Sequence, residues 1–207
     1  MSILNDHPHI VIATNNTGKL KEFQALLKDF PCEVSPQSEF SVSSVPETGA
    51  SFVENAIIKA RHCCQQTDLP CIADDSGIVV DALRGEPGIY SARYARTDFP
   101  ERQQNDDANN QLLLQKLKNV PETQRSARFH CALVFMRFAD DPCPIICQAS
   151  WEGRILFEPS GKNGFGYDPL FYLPLSGCSS ADLNPEQKNR LSHRGQAMQK
   201  LLKELTL

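Results

Sequence analysis

Asp74 and Asp75 stand side by side in Ile72-Ala73-Asp74-Asp75-Ser76-Gly77, between Pro70-Cys71 and the apolar run Ile78-Val79-Val80. Adjacent carboxylates repel each other unless a cation or a shared proton relieves them. Mg²⁺ does so through oxygen ligands, and usually keeps waters and a substrate phosphate in its shell. The same residues also make an ordinary Asx-type turn. On both readings the segment predicts a strand that stops, a turn that displays its side chains, and a chain that returns as a second strand.

A second group is Thr14-Asn15-Asn16-Thr17-Gly18-Lys19, and a third is Gly161-Lys162-Asn163-Gly164-Phe165-Gly166-Tyr167-Asp168-Pro169. In the second, a polar loop between a strand and a helix aims backbone N–H groups and a helix N-terminus at an anion. Lys19 at that helix start opposes the macrodipole, a mild cost that a bound phosphate removes. The spacing is not that of a Walker A loop, and a plain β-to-α turn with a solvated lysine fits as well. In the third, Phe165 between two glycines suits stacking on a flat ligand, or a turn with a core aromatic. Near the C-terminus Lys188, His193 and Arg194 gather around an expected helix break, offering donors in one place. Glu47, ahead of a helix, is a further candidate for binding metal or water.

The elements that must position these groups follow from periodicity. His9-Ile10-Val11-Ile12-Ala13 reads as a buried strand, and Leu20, Phe23, Leu26, Leu27 and Phe30 recur at helical spacing. A short strand is expected near Cys32-Glu33-Val34, then a loop over residues 37–49. A second helix, about residues 51–66, carries the apolar stripe Phe52, Val53, Ala56, Ile57, Ala60 and Cys64. Residues 98–118 read as a helix docking by its C-terminal half. Residues 127–138 and 145–151 predict a long antiparallel hairpin, with another strand at 154–157. Asn184-Pro185-Glu186-Gln187 is a helix start with Asn as N-cap, and Ser192 opens a final helix with the stripe Ala197, Met198, Leu201, Leu202 and Leu205.

The 207 residues, 41% hydrophobic and 22% charged, have the composition of a soluble globular protein. A formal charge of −4 argues against bulk electrostatic binding to nucleic acid. No apolar run approaches the ~18–20 residues of a membrane span, and the first residues lack the pattern of a signal peptide, so a cytoplasmic location is expected. The eight cysteines match no zinc spacing and read as reduced core thiols. No repeat or linker stands out, and residues 1–207 are expected to form a single two-lobed domain with a mixed sheet.

In this order, residues 14–19, Glu47-Thr48-Gly49 with Phe52-Val53-Glu54-Asn55-Ala56, Ala73-Asp74-Asp75-Ser76-Gly77, residues 87–94, Phe165-Gly166-Tyr167-Asp168-Pro169 and Ser192-His193-Arg194-Gly195 resemble the non-canonical purine nucleoside triphosphate pyrophosphatases, also called inosine/xanthosine triphosphatases. Asn15 departs from the Gly that bacterial members often carry. The resemblance implies a mixed α/β fold: a long twisted sheet with flanking helices, in two lobes around a nucleotide-binding cleft. It implies a homodimer and the reaction NTP + H₂O → NMP + diphosphate on ITP, dITP and XTP, with Mg²⁺. It assigns Thr14, Asn15, Asn16, Thr17, Gly18 and Lys19 to the triphosphate, Asp75 to catalysis and the metal, Glu47 to the metal, and Ser76 to substrate. Phe165, Gly166, Tyr167, Asp168, Lys188, His193 and Arg194 surround base and sugar. Arg194 offers donors only, so it can bond to a 6-oxo group and not to a 6-amino group.

Overall fold

The structure is a computed structural model that describes residues 9–97, 99 and 101–206. A single seven-stranded sheet has the order β2-β1-β3-β4-β5-β6-β7. The strands are β1 (His9–Ile12), β2 (Glu33–Pro36), β3 (Cys71–Val80), β4 (Ser126–Met136), β5 (Ile145–Ile155), β6 (Phe171–Leu173) and β7 (Cys178–Ser179). The helices are α1 (Thr17–Leu26), α2 (Phe52–Thr67), α3 (Arg102–Lys116), α4 (Pro185–Leu191) and α5 (His193–Thr206). The sheet is mixed: β1 runs parallel to β2 and β3, whereas β6 is antiparallel to β5 and β7.

The chain divides into two compact units, one of residues 1–75, 131–149 and 194–207, the other of residues 76–130 and 150–193. In the first unit, parallel strands need both faces covered, and the strand period of two sorts the side chains. Ile10, Ile12 and Ile72 enter a core with Phe23 of α1 and Ala197, Met198, Leu201 and Leu205 of α5. Val11, Ala13, Cys71 and Ala73 point the other way, onto Ala56, Ala60, Cys63 and Cys64 of α2. The second unit has its own core, in which Leu113 and Leu117 at the end of α3 meet Ile78, Val80, Trp151, Tyr167 and Phe171. Arg125 is buried there, donating to the carbonyl oxygens of Leu117, Ile155 and Leu156 at 2.8 Å each.

Two expectations change. The Asp-Asp-Ser-Gly segment is no turn: β3 runs unbroken through it as a ten-residue strand. Gly77 is needed for close approach, since a Cβ there would lie 2.3 Å from Ser91 Oγ and 2.5 Å from the Gly88 carbonyl oxygen. The strand expected at 154–157 is instead the end of β5. Opposed side-chain contacts, Arg128 with Glu152 and His130 with Ser150, show β4 and β5 to be antiparallel, as the hairpin reading required. Helix boundaries otherwise lie within a few residues of expectation. Ser51 caps α2 and Asn184 forms a capping box with Gln187. The Asp98 start expected for α3, and residues 1–8, lie outside the described residues.

Candidate active site

In the first unit β1 ends beside the loop that opens α1. Asn16 caps this helix, its Oδ1 accepting from Lys19 N at 3.0 Å, and Thr14 Oγ1 accepts from Asn16 N at 3.2 Å. The first turn has no acidic residue, which leaves its N–H dipoles suited to an anion. Thr17 is exposed and Gly18 half-buried at that end. Asn15 accepts from Gln37 Nε2 at 2.6 Å and donates to Ser44 Oγ at 3.2 Å, tying the loop to residues 37–44. The Lys19 ammonium reaches Asp74 at 2.8 Å and does not stand alone in solvent.

Because successive side chains of a strand point to opposite faces, Asp74 and Asp75 look in opposite directions. Asp74, 1% exposed, faces α1 and α5. There it accepts from Lys19, and from Arg194 Nη2 and Nε at 3.3 and 3.4 Å. Arg194 is in turn paired with Glu22. Asp75, 6% exposed, faces α2: Asn55 Nδ2 donates to it at 3.2 Å and Lys59 Nζ at 3.3 Å. Lys59 also binds Glu47 at 2.8 Å, so one ammonium bridges two carboxylates. Asn55 is itself aimed by the Gly49 N–H, which donates to its Oδ1 at 2.8 Å.

These surroundings push the neighbouring carboxylates apart. Burial works against the ionised form of Asp74, but the charges of Lys19, Arg194 and Lys59 outweigh it and hold its pKa well below the carboxylate range. Burial raises that of Asp75; Lys59 and Lys19 oppose the rise, and the charges of Glu47 and Asp74 add to it. Lys59 is pulled down by burial and pushed up more strongly by Asp75, Asp74 and Glu47, so it stays protonated. Two adjacent acids with opposite tendencies make the usual division between a fixed charge and a proton acceptor.

In the second unit Ser76 lies half-buried in β3. Asp168, 2% exposed, organises the glycine-rich loop. Its Oδ2 accepts from Phe165 N at 2.8 Å and from Lys188 Nζ at 2.6 Å, and its Oδ1 from Ser180 Oγ at 2.7 Å. The Lys188 ammonium sits 4.5 Å from the centre of the Phe165 ring. Tyr167 is buried and donates to the Ser91 carbonyl oxygen at 2.8 Å. His193 stacks on Phe129 with centroids 4.9 Å apart and planes 9° apart.

The structure thus brings Lys19, Asp74, Asp75 and Glu47 together with residues to which the sequence motifs assign no role: Glu22, Asn55 and Lys59. For Lys59 the available signal is its i+4 spacing from Asn55 on the same helix. Arg194 has partners that spacing does not announce: its side chain is 3% exposed and its nitrogens face Asp74 and Glu22, because a guanidinium this buried requires carboxylate partners. Among the described residues no set of three His, Cys, Asp or Glu side chains converges to hold a metal ion. No helix among the described residues is long and apolar enough to cross a membrane.

Known proteins resemble the chain over most of its length. The chain is 56% identical over 197 residues to the dITP/XTP pyrophosphatase of Vibrio parahaemolyticus, covering 95% of this chain and 96% of that one. It is 51% identical over 196 residues to the enzyme of the same name from Escherichia coli K12, covering 95% and 97%. Among solved structures, a HAM1 protein from Coxiella burnetii superposes with a TM-score of 0.86 at 48% identity, covering 95% of this chain and 98% of that one. The family model for the Ham1 family matches residues 10–204, so that nearly every residue described above falls within it, and the chain belongs to the Ham1 family.

Proposed function

We propose that the protein hydrolyses ITP, dITP and XTP to the monophosphate and diphosphate, and so keeps these nucleotides out of DNA and RNA. The observation that carries this reading is the split between neighbouring carboxylates, with Asp74 locked to Lys19 and Arg194 while Asp75 faces Lys59 and, through it, Glu47. A fixed charge beside a proton acceptor is what attack of water on a phosphoanhydride needs.

Lys19 and the N-terminus of α1, with Thr14, Asn15, Asn16, Thr17 and Gly18, bind the triphosphate, and Asp74 keeps Lys19 aimed. Asp75 accepts the proton of the water that attacks the α-phosphorus; the bond from that phosphorus to the bridging oxygen breaks and diphosphate leaves. Lys59 and Asn55 hold the Asp75 carboxylate in place. Ser76 contacts substrate. Phe165, Gly166, Tyr167, Asp168, Lys188 and His193 serve the base and sugar, Phe165 by stacking and Lys188 as a cation. Arg194, held by Asp74 and Glu22, serves the base as well.

Mg²⁺ fits the residues present. Glu47 and Asp75 are hard oxygen donors already bridged by the Lys59 cation, and two carboxylates completed by phosphate oxygens and water are a common Mg²⁺ shell. When bound there, Mg²⁺ would neutralise charge developing on the phosphates. The family resemblance also leads us to propose a cytoplasmic homodimer. A panel of nucleoside triphosphates with Mg²⁺ tests the function: dITP and XTP should turn over far faster than ATP. Equal rates on all of them, or none on any, would contradict it.

A further inference from the structure

On α3, Asp106 and Asn110 stand one turn apart and grip the same residue of the glycine-rich loop. Asp106 Oδ2 accepts from the Gly166 N–H at 2.9 Å, and Asn110 Nδ2 donates to the Gly166 carbonyl oxygen at 2.9 Å. Gly166 has φ of +62°, a conformation that other residues adopt only with strain. Since Phe165 N is tied to Asp168, the backbone is held on both sides of the Phe165 ring. The residue between them on the helix, Asn109, accepts from Ala95 N at 2.7 Å and donates to the Ala92 carbonyl oxygen at 3.3 Å. The early turns of α3, which have no apolar stripe, are thus committed to holding loops.

Asn110 carries a second clue. It is 8% exposed, and its Oδ1 is buried without a hydrogen-bond partner. The amide cannot be turned to relieve this, because the Gly166 carbonyl needs a donor. A side chain that leaves a buried acceptor unsatisfied is costly. The hydrogen bond that Asn110 does make is spent on the Gly166 carbonyl, so what this side chain supplies is the placing of that loop residue.

We propose that Asp106 and Asn110 are positioning residues for base recognition: they fix Gly166 in its left-handed conformation and so present the Phe165 ring, beside the Lys188 ammonium, to the purine. This rests on the reading of Phe165 as the stacking residue. Neither side chain takes part in the phosphate chemistry, so their effect falls on KM.

The test is steady-state kinetics on ITP for Asn110→Leu, Asp106→Ala, Asp106→Asn, Phe165→Ala and the double variant Phe165→Ala/Asn110→Leu, with thermal melting of each. Asn110→Leu and Asp106→Ala should raise KM about tenfold, within the range that stacking of a base on an aromatic ring is worth, with kcat changed less than about twofold as expected when only ground-state and transition-state binding fall together. Asp106→Asn, whose Oδ1 can still accept from Gly166 N, should keep a near-normal KM. Asn110→Leu should add nothing to Phe165→Ala. If Phe165→Ala raises KM but Asn110→Leu and Asp106→Ala do not, the positioning proposal fails while Phe165 keeps its role. If Phe165→Ala leaves KM unchanged, the stacking reading itself fails. Should Asn110→Leu melt lower with KM unchanged, or its effect add in full to that of Phe165→Ala, the residue is structural and the proposal is overturned.

Discussion

Replacing Asp74 by Asn should unfold the protein far more easily than the same change at Asp75, one residue along the same strand. Asp74 is 1% exposed and takes hydrogen bonds from two cations, Lys19 at 2.8 Å and Arg194 at 3.3 Å. An asparagine keeps the shape and removes the charge, leaving a buried ammonium and guanidinium with Glu22 as the remaining close carboxylate. Breaking a buried pair costs about 3–5 kcal/mol. Glu22 still neutralises Arg194, so the lower end, about 3 kcal/mol, applies. With a urea dependence of about 2–3 kcal/mol/M for a chain of this size, the midpoint should fall by about 1–1.5 M. At Asp75 the balance reverses. Burial disfavours its ionised form, Lys59 and Lys19 only partly offset this, and Lys59 keeps Glu47 when Asp75 is neutral. Asp75→Asn should therefore leave the urea midpoint unchanged or slightly raised. Circular dichroism in a urea series at pH 7 reads both. A midpoint for Asp74→Asn equal to the parent's, or an equal fall for Asp75→Asn, would refute the reasoning.

Other outcomes follow from the same charges. Asp75→Asn should fold and bind ITP but lose kcat by at least ~10²-fold, the lower range for a general base; retention of more than about a tenth of kcat would move that role to another carboxylate. Activity should rise with pH as Asp75 ionises, and its midpoint should lie above that of an ordinary aspartate because burial raises its pKa; a flat rate between pH 4 and pH 8 would contradict this. Asp74 behaves oppositely in stability. Its folded pKa is lowered, so its contribution is complete above the unfolded value of about 3.9. It is lost progressively as pH falls below that value and through the lower folded pKa, and Asp74→Asn should remove this part of the acid transition. Chelation with EDTA should abolish turnover and Mg²⁺ should restore it, measured as diphosphate release; full activity after exhaustive chelation would exclude the metal.

Much of the site was legible because short-range rules govern it. Asn184-Pro185-Glu186-Gln187 declares a helix start through capping chemistry that needs no tertiary contact, and the structure has the box. The run His9-Ile10-Val11-Ile12 announces a strand buried on both faces. The Asp-Asp-Ser-Gly segment misled for the opposite reason. Its local chemistry favours a turn, but Lys19, Lys59 and Arg194 arrive from other parts of the chain to neutralise the carboxylates, and the strand continues. Arg194 lies 120 positions from Asp74 and 172 from Glu22, separations that no local pattern reports. Its pairing with both carboxylates is therefore visible in the fold alone. Gly77 has the look of a turn residue, whereas its reason is the Ser91 hydroxyl, which lies 2.3 Å from where a Cβ would stand. Sequence spacing can name the acids of such a site; which of them is locked, and by what, depends on the fold.

The central claim is that water attacks the α-phosphorus and diphosphate leaves. Single-turnover hydrolysis of ITP in ¹⁸O-labelled water, with the products resolved by mass spectrometry, tests it most directly. The account predicts IMP and diphosphate as the products, with one labelled oxygen in IMP and none in diphosphate. Label in diphosphate, or release of orthophosphate with IDP, would place the attack at another phosphorus and contradict the account.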